Sequence, residues 1–358
     1  MSKPVLELIR SEVRSLQEYH VAAPPSRIKL NQNESSVELP NEVREEILDR
    51  LRAMPWSRYP QTQAKLTTAL RDALELPDGT ELLVGNGSNE LIQALLVAVL
   101  EPGVNIVIPE PTFLLYQQFA AILGASVIKV PLDPDLTCNG DRILEAVEAE
   151  NARVVVLARP NNPTGICMPI AAIDRLLGRT NALVVIDEAY AEFADDTVLG
   201  LLSEHDNLIV LRTFSKAMRS AGLRIGYLMA SACLTNQVAK VVPPFNTGVV
   251  SLEIAQVIIE RREVLQPGID ATLAQRTWLM SALEPLPGIT PIPSQANFIC
   301  FHTEMQPRRV FERLLDAGIL VRDVSGYPLL GDCLRVSVGT AEENREFVTE
   351  LNRILGEQ

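Results

Sequence analysis

Between residues 81 and 230 the chain alternates short apolar runs with stretches whose apolar positions recur at helical spacing. The runs ELLVG (81–85), NIVIPE (105–110), SVIKVP (126–131), RVVVLARP (153–160), ALVVIDEA (182–189), NLIVLRT (207–213) and RIGYLMA (224–230) predict strands. Leu208 to Leu211 are apolar without a break, as expected where both faces of a parallel sheet are covered. ELIQALLVAVL and DRILEAVEAE predict helices between strands, so this region reads as right-handed crossovers on a mostly parallel sheet.

The flanks read differently. Val5, Leu8, Ile9, Val13 and Leu16 predict an amphipathic arm that packs on the body or on a second subunit. An extended stretch, AAPPSRIKLNQNESS, leads to a helical pattern from Glu42 to Leu51 and a loop at RYPQ (58–61). Beyond PPFNTG (243–248) come long helical stretches over 249–285, then separated strands at NFICF (297–301) and LRVSVG (334–339). The expected organisation is an α/β protein in three parts. An N-terminal arm over 1–40 contributes to the small domain, a large domain over 41–248 sandwiches its sheet between helices, and a smaller α+β domain spans 249–358. At 358 residues, one large and one smaller core are expected.

Composition narrows the ligand. A hydrophobic share of 47% and a charged share of 22% are those of a soluble globular protein. A net charge of −13 argues against nucleic acid or an anionic membrane as partner, which leaves small molecules. Five cysteines without a C-x-x-C pair suggest reduced, cytoplasmic thiols, and the longest apolar run, ALLVAVL (94–100), is too short to span a bilayer. His20, His205 and His302 lack ligand spacing, so no metal is expected, and Asp195 and Asp196 read as a solvated turn.

In open α/β sheets ligands collect outside the carboxyl ends of the strands, and there this chain carries GNGSNE, RPNNPTG, DEAY and FSK. Asp187 ends an apolar strand and needs a cation or a strong donor, for which Lys216 across the strand ends is the simplest partner. Asn162, Tyr190, Ser215 and Arg224 beside them open a second reading. An aldehyde cofactor such as pyridoxal phosphate needs a lysine amine for a Schiff base, a carboxylate for its ring nitrogen, donors for its phenolate and an anion cradle. Gly87, Ser88 and Asn89 precede a helix and suit a phosphate, with Ser215 and Arg224 adding charge-assisted bonds. GNGSN lacks the third glycine of a dinucleotide fingerprint, and no G-K-[ST] follows it.

NNPTG, DEAY and SKAMRSAGLRIG in this order, with LNQNE upstream and ILVRD and LRVSVGT downstream, resemble the histidinol-phosphate aminotransferase group of fold-type I pyridoxal-phosphate aminotransferases. The resemblance runs from about residue 15 to 345. It implies that Lys216 carries the cofactor and shuttles the substrate's proton, that Asp187 pairs with the ring nitrogen, and that Asn162 and Tyr190 bind the phenolate oxygen. Phe113, in EPTFLLY, takes the position of the stacking aromatic, and Thr213 joins the cofactor-binding set. Tyr59, in RYP, reaches the neighbouring subunit's cofactor phosphate, which implies a homodimer with shared sites. Arg335 and Arg322 resemble arginines that grip the substrate's anionic group, and Tyr19 and Asn162 stand with them at the substrate end.

The implied substrates are histidinol phosphate with 2-oxoglutarate or glutamate, exchanged in a ping-pong transamination of histidine biosynthesis. Phe113 and Phe245 replace a frequent tyrosine, Asn89 a common aspartate, and LNQNE the more usual LNANE, departures that bear on substrate identity. An aromatic amino acid aminotransferase, a threonine-phosphate decarboxylase and a non-catalytic cofactor-binding relative remain the rivals.

Overall fold

The computed structural model describes residues 5–18, 24–60 and 63–357. Its strands are β1 (Ile28–Lys29), β2 (Thr80–Gly85), β3 (Asn105–Glu110), β4 (Ser126–Pro131), β5 (Val154–Ala158), β6 (Leu183–Asp187), β7 (Leu208–Thr213), β8 (Gly226–Ser231), β9 (Ile289–Pro291), β10 (Phe298–Thr303), β11 (Ile319–Leu320), β12 (Arg322–Asp323) and β13 (Cys333–Ser337). Seven of them form one sheet in the order β2-β8-β7-β6-β5-β3-β4. β8 runs antiparallel to both its neighbours, and the remaining pairs are parallel.

Alternation of side chains along the inner strands feeds two cores. Val155, Leu157, Val184, Ile186, Leu208 and Val210 face helices Gln63–Leu74, Gly140–Ala149, Ile170–Arg179 and Val249–Glu260. Val154, Val156, Val185, Ile209 and Leu211 face helices Ser88–Val99, Leu115–Ile122 and Ala232–Ala239. All six residues of β7 are buried, which explains the unbroken apolar run. Among the described residues no helix is long and apolar enough to cross a membrane.

A second sheet, β12-β13-β10-β9, is antiparallel and packs with helices Gln266–Leu283, Pro307–Asp316 and Ala341–Gly356 around a separate core that includes Phe301, Phe347 and Leu351. β1 pairs with β11, which ties residues just upstream of LNQNE to this second body. The packing departs from the boundary expected at 248/249. Leu252, Ala255, Ile258 and Ile259 bury against the large sheet, and the chain changes body only at the short turn Arg262–Leu265. Helical periodicity runs on through that junction, so the pattern alone did not show which core each half enters.

The N-terminal pattern does not become a docked helix of this chain. It forms two four-residue turns, Val5–Leu8 and Ser11–Arg14, with Val5, Leu6 and Leu8 more than 70% exposed. Such short turns have little helical stability of their own. The segment touches the body through Arg10, whose guanidinium donates to the Ile122 carbonyl at 2.7 Å.

At the end of β6, Asp187 and Glu188 point opposite ways. Glu188 is fully buried and accepts from Arg212 at 2.8 and 3.0 Å, from the Thr197 hydroxyl at 2.7 Å and from the Val198 amide at 2.8 Å. Buried Arg159 donates to the Met168 carbonyl at 2.8 Å and pairs with Asp196. Asp195 and Asp196 are exposed, as the sequence suggested, and Asp196 in addition serves as the ion-pair partner of Arg159. Arg212→Met would strand the Glu188 carboxylate, and a loss of about 3 kcal/mol is expected in urea unfolding, the usual consequence of removing one partner of a buried pair.

Candidate functional site

The carboxyl ends of β5, β6 and β7 open into a cavity of about 440 Å³ between the two bodies, a size suited to a small molecule. It is lined by Ser88, Asn89, Phe113, Asn162, Asp187 and Tyr190 from the large body, joined by Thr213, Ser215, Lys216 and Arg224. Arg322 and Arg335 line its other wall. Tyr59 is not among these residues; it is 74% exposed and stacks on Phe245 with ring centroids 4.5 Å apart. Tyr19 and His20 lie outside the described residues. His205 and His302 have local carboxylate partners, Asp174 at 2.7 Å and Asp332 at 2.9 Å.

At one end of the cavity an anion cradle is built from backbone. Helix Ser88–Val99 starts after Gly87, whose φ of 85° no side chain adopts easily and which brings no side chain of its own to cap the first amides. A β-carbon on Gly226 would fall 2.2 Å from the Ser88 amide nitrogen, so only glycine lets β8 approach this helix start. Arg224 has a left-handed backbone (φ 56°), and its guanidinium donates to the Ser215 hydroxyl at 3.3 Å and the Ala221 carbonyl at 2.8 Å. The Thr213 hydroxyl lies 2.9 Å from that of Ser215 and accepts from the Ser215 amide at 3.1 Å. A helix start, two hydroxyls and a guanidinium converge where an anion would be held.

The centre carries the titratable groups. Asp187 does not pair with Lys216, contrary to the simplest reading of the sequence. Its carboxylate accepts from the Tyr116 hydroxyl at 2.7 Å and from the Ala189 amide at 3.1 Å. Burial pushes the Asp187 carboxyl above its usual range, and these donors pull it part of the way back. The Lys216 amine donates to the Gln32 carbonyl at 2.9 Å. Burial depresses it to about 7, with the positive charges of Arg335, Arg224 and Lys29 acting in the same direction and Glu34 against them. An amine so placed is substantially neutral near pH 7, as nucleophilic and proton-shuttling roles require.

Opposite Lys216, the Tyr190 hydroxyl accepts from Asn33 at 3.0 Å and Asn162 at 3.5 Å. Arg335 donates to the Asn162 side chain and to the Asn31 carbonyl at 3.0 Å, and its buried Nε has no partner among the described residues. Arg322 stands directly across the ladder from it. Like charges opposed in this way are unfavourable until an anion lies between them.

Sequence reasoning missed Tyr116 and the roles of Asn31, Gln32 and Asn33. The signal for Tyr116 was a tyrosine on the core side of an apolar helix, since a buried phenol requires a partner. For residues 31–33 there was no comparable signal, because two of the three contacts are made by backbone carbonyls.

Because Lys216 binds its proton less tightly in the folded chain, the unfolded chain holds more protons between pH about 7 and the ordinary 10.5. The ligand-free protein should therefore gain stability as pH rises through that window, by up to a few kcal/mol. Urea unfolding at several pH values should show this rise, and Lys216→Met should flatten it.

The family Aminotransferase class I and II matches residues 25–351. Histidinol-phosphate aminotransferase 2 of Nitrosococcus oceani is 39% identical over 350 residues, with 97% of each chain covered. The histidinol-phosphate aminotransferase of Chlorobium limicola is 35% identical, with 99% of this chain and 100% of that one covered. In three dimensions the chain resembles the crystal structure of histidinol-phosphate aminotransferase from Sinorhizobium meliloti in complex with pyridoxal-5'-phosphate, with a TM-score of 0.88, 24% identity and 98% of each chain covered.

Proposed function

Because this chain belongs to the class I and II aminotransferases, we propose that it transfers the amino group of histidinol phosphate to 2-oxoglutarate, using pyridoxal 5'-phosphate carried on Lys216. The observation that carries the reading is a depressed lysine amine in one cavity with a buried carboxylate and the helix start after Gly87. The residues present fit the cofactor. The cradle of Ser88, Asn89, Ser215 and Arg224 suits its phosphate, Asp187 its protonated ring nitrogen, Asn162 and Tyr190 its phenolate oxygen, and Phe113 its ring face. Pyridoxal phosphate supplies an aldehyde that captures amino groups and a ring that takes up the electron pair left when the substrate loses its α-proton.

The chain's own groups supply positioning and proton transfer. Lys216 in its neutral form would accept the proton from the substrate's α-carbon and, once protonated, would deliver it on the far side of the transferred nitrogen, two atoms away. Arg335 and Arg322 hold the phosphate of histidinol phosphate in one half-reaction and a carboxylate of 2-oxoglutarate in the other, since the paired donors of a guanidinium match both anions. The Nε of Arg335, unpaired among the described residues, supports such a ligand, because a buried donor without a partner is costly until one arrives.

We place the protein in the cytoplasm as a homodimer in which Tyr59 completes the neighbouring site. Exposed Trp56, Tyr59 and Phe245, together with the exposed Val5, Leu6 and Leu8, supply apolar surface for such an interface. Sedimentation should give twice the 39.4 kDa chain mass. Mixed dimers of Tyr59→Ala and Lys216→Ala subunits should recover activity that both parents lack, since one site then keeps both residues; no recovery would argue against sharing.

The reaction itself is tested by single-turnover absorbance of the cofactor-loaded protein. Histidinol phosphate should bleach the cofactor band and 2-oxoglutarate should restore it, while phenylalanine and threonine phosphate should leave it unchanged. Arg335→Ala should raise the KM for histidinol phosphate by about a hundredfold, the loss of a charge-assisted bidentate contact of roughly 3 kcal/mol.

A further inference from the structure

One buried phenol stands behind the carboxylate of the pocket. Tyr116, on helix Leu115–Ile122, is 1% exposed, and its hydroxyl donates to Asp187 Oδ2 at 2.7 Å. The other oxygen, Oδ1, accepts from the Ala189 amide at 3.1 Å. One donor comes from the chain just beyond β6 and the other from a facing helix, so the plane of the carboxylate is fixed from two independent elements. The Tyr116 ring also stands edge-on to Phe113, with centroids 5.5 Å apart and planes at 81°. A single buried side chain thus touches both the carboxylate and the aromatic that face the ring site.

The chemistry of the contact has a direction. A donor to an ionised carboxylate stabilises the charged form, whereas burial favours the neutral one. When a pyridine nitrogen lies against this carboxylate, the two bases compete for one proton. A phenol already donating to the carboxylate weakens its claim and leaves the N–H bond on the ring. Without the phenol, the proton has more to gain by moving to the oxygen, and the ring then draws electrons less strongly.

We propose that Tyr116 is a positioning residue that orients Asp187 and keeps the proton they share on the ring nitrogen of the bound cofactor. The proposal rests on pyridoxal phosphate being the ligand. Tyr116→Phe removes the hydroxyl and keeps the ring, so the edge contact with Phe113 survives. Ligand-free wild-type and variant proteins are loaded with ring-¹⁵N pyridoxal phosphate, the nitrogen resonance is recorded, and the dissociation constant is measured by equilibrium dialysis.

The wild type should show a protonated ring nitrogen. The variant should shift toward the unprotonated pyridine position and bind the cofactor about tenfold more weakly or worse, as for loss of a hydrogen bond to a charged group. A folded variant whose nitrogen resonance is unchanged and whose affinity stays within about twofold of wild type overturns the proposal. Near-ultraviolet circular dichroism establishes folding, and Tyr116→Met, which also lacks a donor, carries the same test should the phenylalanine variant not fold. Failure of the wild type to bind pyridoxal phosphate would instead sink the underlying reading.

Discussion

A sheet covered by helices on both faces leaves polar side chains few places to emerge, and that constraint organises this molecule. β5, β6 and β7 are apolar almost to their last residue, so Asp187, Thr213 and the loops that follow them collect at one edge. The same constraint divides the DEAY motif. Asp187 turns toward the cavity, while Glu188 enters a closed network with Arg212 and Thr197. That hydrogen-bonded network lies on the opposite side of the strand end from the Asp187 carboxylate.

Electrostatics in the cavity run against those of the whole chain. The protein carries a net charge of −13, yet Lys216, Arg224, Arg322 and Arg335 line the pocket against Asp187 and Glu34. Clefts with low-dielectric walls concentrate such local fields, so an anionic ligand meets a favourable potential only once it is close. The accumulated positive charge also helps to make Lys216 a usable base, because each neighbouring cation disfavours its protonated form. Ligand capture and amine activation thus draw on the same charges.

Much of this was legible in the sequence, and the limits are instructive. The strand runs, the alternation with helices and the polar strand-end loops all followed from periodicity, because burial on two faces imposes a pattern that single residues report. Partner identity did not follow. Asp187 needed a donor, but nothing in its own neighbourhood distinguished Lys216 from Tyr116, which lies 71 residues away. Helix Val249–Glu260 shows the same limit at a larger scale, since an apolar stripe reveals that a helix is buried and not which core receives it.

The short pairing of β1 with β11 has a mechanical meaning. Leu30 is fastened to the second body through the Leu320 carbonyl at 2.7 Å, and the next three residues are bonded to Arg335, Lys216 and Tyr190 in turn. This tripeptide bridges the two bodies: Leu320 and Arg335 hold it to the four-stranded one, and Lys216 and Tyr190 hold it to the seven-stranded one. Three consecutive residues of backbone and side chain thus reach a guanidinium on one wall of the pocket and an amine and a phenol on the other, so the position of each wall is referred to the same short piece of chain.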